Sequence, residues 1–152
     1  MPETNALQPL VCPKCHGNIA SHTEGVFCEA CGNLYPRHPD GFLDLRRDGR
    51  RYHDWISTSD EATAHWMKLG ATTEATGAHH MMRSYLIPLL HRLGLNKGAS
   101  VLSVGCGGGW DVEELHANGY QAWGVDNGGR IVVWKNNASI DFLSLGDALS
   151  LP

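Results

Sequence analysis

The chain has 152 residues, 42% of them hydrophobic and 18% charged, and its formal charge of −4 is spread over mixed acidic and basic positions. That is enough chain to bury a core in one domain or two small ones, and it carries no global field toward nucleic acid or a membrane surface. No stretch is apolar for long enough to span a bilayer, and Met1-Pro-Glu-Thr-Asn lacks the charged start and apolar core of a signal peptide.

From the N-terminus, residues 1–45 read as a zinc ribbon. Cys12-Pro-Lys-Cys15 and Cys28-Glu-Ala-Cys31 are two C-x-x-C knuckles twelve residues apart. Each knuckle bends the backbone so that two thiolates converge, and two together make a closed tetrahedral site for Zn²⁺ from Cys12, Cys15, Cys28 and Cys31. Five cysteines in a chain without an export signal favour metal binding or free thiols over disulfides, and the expected compartment is a reducing cytoplasm. Gly17 and Gly32, after the second cysteine of each pair, are expected to let the chain turn back. Phe27 and Leu34-Tyr35 are expected to supply short strands beside the metal. So small a unit has too little apolar burial to fold alone, so the metal contributes much of its folding free energy. Neither pair has the strand-to-helix context of a redox motif. His16, His22 and His38 lie close in sequence but read as surface residues once four cysteines are in place.

Residues 46–58 read as a linker. Arg46-Arg-Asp-Gly-Arg-Arg51 is a pattern able to grip RNA phosphates, but Asp44, Asp48 and Asp54 dilute its charge and a solvated run is the favoured reading. Residues 59–152 form the second unit. Thr58-Ser-Asp-Glu61 is a capping box for a helix over 58–69, with Trp66, Met67 and Leu69 on one side and Gly70 as its stop. Between His79 and Leu93, the residues Met82, Leu86, Leu89, Leu90 and Leu93 recur at helical spacing, and Pro88 predicts a kink or two short helices meeting there. Tyr85 and His80 in that pattern read as packing residues.

The next stretch organises the unit. Val101, Leu102 and Val104 predict a buried strand over 101–104, Gly105-Cys-Gly-Gly-Gly109 a turn almost without side chains, and residues 110–118 a helix stopped by Gly119. Strands over 121–125 and 140–143 follow, with an irregular or helical segment over 128–137. This order predicts an α/β fold, a partial Rossmann-like parallel sheet (strand, helix, strand, strand) preceded by helices and the ribbon, with ligand at the C-terminal ends of the strands. A glycine turn entering a helix brings backbone N–H groups to a ligand where the dipole favours negative charge, and Asp126 is placed to accept from ribose hydroxyls. The dinucleotide fingerprint G-x-G-x-x-G would put its third glycine on Trp110, whereas the chain reads G-x-G-x-G over Gly105, Gly107 and Gly109. Cys106 has no base beside it and reads as a small spacer lining the site.

The run Val-Leu-Ser-Val-Gly-Cys-Gly-Gly-Gly over 101–109, followed by Gly-Val-Asp126, resembles the first two motifs of class I S-adenosylmethionine-dependent methyltransferases of the type 11-like kind. Gly146-Asp-Ala-Leu-Ser-Leu-Pro152 looks like the family's adenine-contacting segment. The resemblance implies S-adenosyl-L-methionine as cofactor, with Gly105, Cys106, Gly107, Gly109, Asp126, Asn127, Asp147 and Ala148 around it. Asp147 would accept from the adenine amino group with the Ala148 N–H beside it; an ordinary loop carboxylate is the alternative for Asp147. The family pattern is departed from in two places: Ser103 stands where Asp or Glu usually helps to hold the methionine amino group, and the run Asn127-Gly-Gly129 replaces a serine and a helix start. Residues 12–45, with Cys31-Gly-x-x-Tyr-Pro36 and the ending Asp40-Gly-Phe-Leu-Asp-Leu45, resemble the small methyltransferase-activator ribbons and the ribbon preceding ribosomal-RNA guanine-N1 methyltransferase domains.

In that family further strands lie beyond the first, so the chain is expected to be the N-terminal part of a class I domain, truncated after the third motif. With the fourth motif absent, the catalytic residues are unknown. The strand over 101–104 is then an apolar unpaired edge, a template for another copy or a different subunit. The leading expectation is a methyltransferase acting on an unidentified acceptor, whether small molecule, protein or RNA. The alternatives are a non-catalytic zinc-ribbon adaptor and the RNA-binding part of an RNA methyltransferase.

Overall fold

The structure, a computed structural model, describes residues 10–46, 64, 68, 73–128 and 131–152. The expected helix over 58–69 lies outside them apart from positions 64 and 68, which are helical, and so do residues 47–51 of the arginine run and Gly129. Arg46 pairs with Asp44.

The ribbon is an antiparallel sheet of β1 (Ile19–His22), β2 (Gly25–Cys28) and β3 (Leu34–Pro36), in that order. Phe27 and Leu34-Tyr35 pair as expected, with Val26 opposite Tyr35 and Phe27 opposite Leu34. The chain turns back after each knuckle through a left-handed residue, Gly32 (φ 70°) in the second but His16 (φ 59°) in the first. Gly17 has a different task from the expected one. A Cβ there would lie 2.7 Å from the Ala30 Cβ and 3.3 Å from the Cys28 Sγ, so its missing side chain lets the knuckles approach.

The chain leaves the ribbon as β4 (Leu43–Asp44), which is an outer strand of a four-stranded parallel sheet. The others are β5 (Ser100–Val104), β6 (Gln121–Asp126) and β7 (Leu143–Leu145), and the order is β4-β7-β6-β5. β5 pairs with β6 from Ser100–Gln121 to Val104–Val125, and β6 with β7 from Gly124–Leu143 to Asp126–Leu145. β4 joins β7 through Leu43–Ser144 and Asp44–Leu145. A strand expected at 140–143 thus starts only at Leu143. Residues Ile140–Phe142 form a 3₁₀ turn, closed by the Phe142 N–H on the Ser139 carbonyl (2.9 Å) and set up by the Ser139 N–H on the Asn137 Oδ1 (2.7 Å). Such side-chain bonds to the backbone compete with extended structure.

α1 (Thr73–Met81) and α2 (Ile87–Arg92) are joined by a π-helical turn, Met82–Leu86. Pro88 sits in the first turn of α2, where a missing N–H costs little. The wider π turn rotates the inward face. Met82, Ile87 and Leu90 are buried, whereas Leu89 and Leu93, expected to face inward, are exposed, and Tyr85 and His80 lie exposed too.

α3 (Trp110–Ala117) packs Val112 and Leu115 against the sheet, in one core with Trp134 of the 3₁₀ helix Ile131–Asn136. Burying a side chain of this kind contributes about 1.5–3 kcal/mol. On α3, the buried Glu114 accepts from Arg83 Nε (2.7 Å), His79 Nδ1 (2.9 Å) and Asn118 Nδ2 (2.9 Å), which ties α1 and the π turn to α3. The Arg83 bond, with those of His79 and Asn118, outweighs burial and holds the Glu114 carboxyl below its ordinary range. A second core joins the ribbon to the sheet through Leu10, Cys12, Cys28, Leu43, Leu45 and Trp123. Among the described strands β5 pairs only with β6, and its Leu102 and Val104 are exposed. No helix among the described residues is long and apolar enough to cross a membrane.

Candidate ligand cavity and metal centre

The glycine turn begins where β5 ends. The N–H groups of Gly105 and Cys106 both donate to the Val125 carbonyl, at 2.7 and 3.2 Å, which folds the turn back over the tip of β6. Gly105, Gly107 and Gly109 all take left-handed φ angles (77°, 56° and 76°), which L side chains rarely adopt. At Gly109 space is short as well, since a Cβ would lie 2.7 Å from the Leu143 Cδ1. The Trp110 indole lies across Gly108, whose own Cβ would meet the ring at 2.7 Å. The turn of a dinucleotide site is therefore absent, and the ring caps the turn at the start of α3.

Three side chains hold this turn. Asp126, at the end of β6, accepts from the Gly107 N–H (2.9 Å) through Oδ2 and from the Gly128 N–H (3.0 Å) through Oδ1. From the other side, Trp134 Nε1 donates to the Gly107 carbonyl (2.6 Å) and Asn137 Nδ2 to the Gly108 carbonyl (3.0 Å). Sequence reading found Asp126 but missed Trp134 and Asn137. Their only signal was a polar-tipped side chain at two positions of the 128–137 segment, which read as irregular or helical.

A cavity of about 520 Å³ opens at the C-terminal ends of β5, β6 and β7, within the size range of small-molecule sites. Gly105, Asp126, Asn127, Asp147 and Ala148 line it, with Val104 and Leu149 as apolar wall. Cys106, Gly107 and Gly109 shape the turn and are not part of that lining. Cys106 is buried, and burial, with the nearby Asp111 and Asp126 charges, pushes its thiol up, so it is held as a neutral SH group. Asp126 still has acceptor positions to spare, since a carboxylate offers about four and two are in use. Asp147 spends one oxygen on its own turn, accepting from the Leu149 N–H (2.8 Å).

Ser103 does not stand without a carboxylate. Its hydroxyl donates to Asp111 Oδ2, on the first turn of α3, and Asp111 Oδ1 accepts from the Val112 N–H (2.9 Å). Burial raises the Asp111 carboxyl above its ordinary value, against the lowering effect of those bonds. The acid is thus present beside strand position 103, supplied by the helix.

In the ribbon, the Sγ atoms of Cys12, Cys15, Cys28 and Cys31 all lie within 4.8 Å of one another. The Cys12–Cys31 pair is 3.8 Å apart and the Cys15–Cys28 pair 3.5 Å. Four thiolates about 2.3 Å from a tetrahedral Zn²⁺ stand about 3.8 Å from each other, so the donor set fits that ion. His16, His22 and His38 are outside the cluster. Tyr35, buried between the ribbon strands and the metal centre, donates its hydroxyl to Cys12 Sγ (3.1 Å). Burial alone would raise the Cys12 thiol; the Tyr35 bond and the backbone N–H groups of Cys15 and Lys14 outweigh it and lower the thiol to about 6. In the same cluster the Cys15 thiol, despite a lowering bond with the Gly17 backbone, is pushed up to about 12 by its Cys28 and Cys31 neighbours, so metal binding must displace protons from the cluster.

Residues 78–143 match the family model of a methyltransferase domain. The match runs from α1 to the first residue of β7, so it takes in the glycine turn and Asp126 and leaves out the ribbon and Asp147. No curated protein matches the chain. The segment around the glycine turn is thus similar to a methyltransferase domain, and the four-stranded parallel sheet is consistent with a partial Rossmann-like fold.

Proposed function

We propose that the cavity at the ends of β5, β6 and β7 binds S-adenosyl-L-methionine and that the ribbon binds one Zn²⁺, making the chain a methyltransferase or the cofactor-binding portion of one. The observation that carries this reading is the convergence of Gly105, Asp126 and Asp147 on one cavity inside or beside the segment matched as a methyltransferase domain. Asp126 uses its remaining lone pairs for the ribose hydroxyls, and its bonds to Gly107 and Gly128 fix its rotamer in advance. Asp147 and the Ala148 N–H face the adenine, between Val104 and Leu149. Asp111, held by Ser103, supplies the carboxylate for the methionine ammonium group.

The cofactor supplies an activated methyl group, and what the protein adds is chiefly the alignment of that group with its acceptor. Titration calorimetry with S-adenosylhomocysteine tests the proposal. Micromolar binding by the wild-type chain and a loss of at least about tenfold in Asp126→Ala are expected, since a charged acceptor hydrogen bond contributes about 1.5–3 kcal/mol. An absence of heat at millimolar ligand would sink it.

The exposed β5 edge favours a second reading, a non-catalytic partner subunit whose sheet continues into another chain. A monomer by light scattering that binds S-adenosylhomocysteine unaided counts against it.

A further inference from the structure

The ribbon reaches the cavity wall along two routes. Inside the first knuckle, the Pro13 carbonyl, which lies between the metal-ligating positions Cys12 and Cys15, accepts a hydrogen bond from the Ser150 hydroxyl. Ser150 in turn closes a tight turn. Its N–H donates to the Asp147 carbonyl (2.9 Å), and within that turn the Leu149 N–H donates to the Asp147 side chain (2.8 Å). Asp147, Ala148 and Leu149 are cavity wall. The second route is the sheet: β4 leaves the ribbon, pairs with β7, and ends with the Leu45 N–H on the Leu145 carbonyl (2.9 Å). Gly146, the next residue, already lines the cavity. The wall segment 146–150 is therefore held at its start by the strand that exits the ribbon and at its end by the metal knuckle. Cys12 and Cys28 share a buried core with Leu43, Leu45 and Trp123, so the metal centre and the strand anchor belong to one packed unit.

We propose that the metal knuckle positions the cavity wall, with Ser150 as the coupling residue, so that metal binding and ligand binding reinforce each other. The physical chain is short. A C-x-x-C knuckle without its metal loses the constraint that fixes the carbonyl between its cysteines. The Ser150 bond then has no fixed acceptor, and the 147–150 turn samples conformations in which Asp147 and the Ala148 N–H no longer converge on the cavity. Ligand binding must then restore that order from its own free energy. Linkage makes the effect reciprocal: whatever factor the metal adds to ligand affinity, the ligand adds to metal affinity. Ser150 is a positioning residue in this scheme and touches no reacting atom.

The inference rests on the S-adenosyl reading of the cavity, and its test separates the two. The full chain is titrated with S-adenosylhomocysteine while loaded with one Zn²⁺ and again after chelation, as wild type and as Ser150→Ala. Chelation is expected to weaken wild-type binding about tenfold, in the usual range of coupling between sites. Zinc-loaded Ser150→Ala should bind several-fold more weakly than loaded wild type, and chelation should then change it much less. In the reverse direction, saturating S-adenosylhomocysteine should raise zinc affinity, read by competition with a chromophoric chelator, by the same factor. Because the metal-free ribbon can unfold, a third arm leaves the metal in place: amide exchange at Leu149 and Ser150, the two N–H groups bonded within the turn, should be about five- to tenfold faster in zinc-loaded Ser150→Ala than in wild type, the loss of one hydrogen bond. Equal ligand affinity with and without zinc overturns the coupling, and so does unchanged exchange in Ser150→Ala. No binding by loaded wild type overturns the cofactor reading, while the exchange arm still decides whether the knuckle holds the turn.

Discussion

Between residues 10 and 42 the buried apolar side chains are few, chiefly Leu10, Val26, Tyr35 and Phe42, and four cysteine sulfurs stand where a larger domain would place its core. Between residues 100 and 145 the order comes from ordinary packing, with Val112, Leu115, Ala122, Val125, Trp134 and Leu143 nearly or wholly inaccessible. The difference sets how each region fails. A core of many small contacts loses stability in increments as atoms are removed. A region closed by one metal centre loses its order in a single step.

The largest expected effect is accordingly in the ribbon. Cys28→Ser should abolish stoichiometric zinc binding and with it most of the ~10 kcal/mol or more that a structural zinc site provides. Zinc content should fall from one per chain toward zero, and amide protection across β1–β3 should vanish together. A variant that keeps its zinc and its ribbon protection would remove the contrast between the two regions. The sheet should respond to its largest buried side chain by degrees. Trp134→Ala is expected to cost about 3–5 kcal/mol in urea unfolding, the cavity penalty of a buried aromatic. Trp134→Phe keeps most of the packing and deletes the bond to the Gly107 carbonyl, so it should cost only about 1 kcal/mol. If the indole N–H holds the glycine turn, Trp134→Phe should also weaken S-adenosylhomocysteine binding several-fold, a readout that packing loss alone would leave in place.

The same contrast explains what could be read from the chain beforehand. The two knuckles, the glycine turn and Asp126 are local patterns, each fixed by residue types within a few positions, and the structure brings each set together. The membership of Leu43–Asp44 in the parallel sheet was invisible, because a two-residue strand has no periodicity and its partner is a hundred residues away. The displaced third strand has a similar cause: Ile140–Phe142 is apolar enough for a strand, but the Asn137 side chain bonds the Ser139 N–H and curls the segment first. The inward face of α1–α2 was misread at Leu89 and Leu93 because a π turn shifts the register without leaving a mark in composition. Position 103 carries no acid, but the Ser103 hydroxyl meets the carboxylate of Asp111, eight residues on, and only the fold shows that the two meet.

The smallest expected effect lies inside the sheet region and sharpens the contrast through pH. His116 on α3 is held in one tautomer: its Nε2–H donates to the Ala122 carbonyl (2.9 Å), which can only accept, and its Nδ1 takes the Ser139 hydroxyl (2.8 Å). Burial pulls its pKa below the ordinary value against the raising effect of the Ala122 bond. The unfolded chain therefore takes up a proton near pH 6.5 that the folded chain still refuses, so the unfolded state binds more protons in that window. Above about pH 6.5 both states are neutral at this residue and it adds no pH dependence. As pH falls below that value the folded state is progressively penalised, until the lowered folded pKa is passed. Wild type should thus lose more stability between pH 7 and pH 5.5 than His116→Gln, which keeps a side-chain donor but cannot titrate; the difference should stay near or below the ~1.4 kcal/mol that one pKa unit represents. Urea midpoints at the two pH values measure it. Parallel pH profiles would mean that the imidazole is not held neutral, and that the junction of α3 with β6 is looser than the packed core around it.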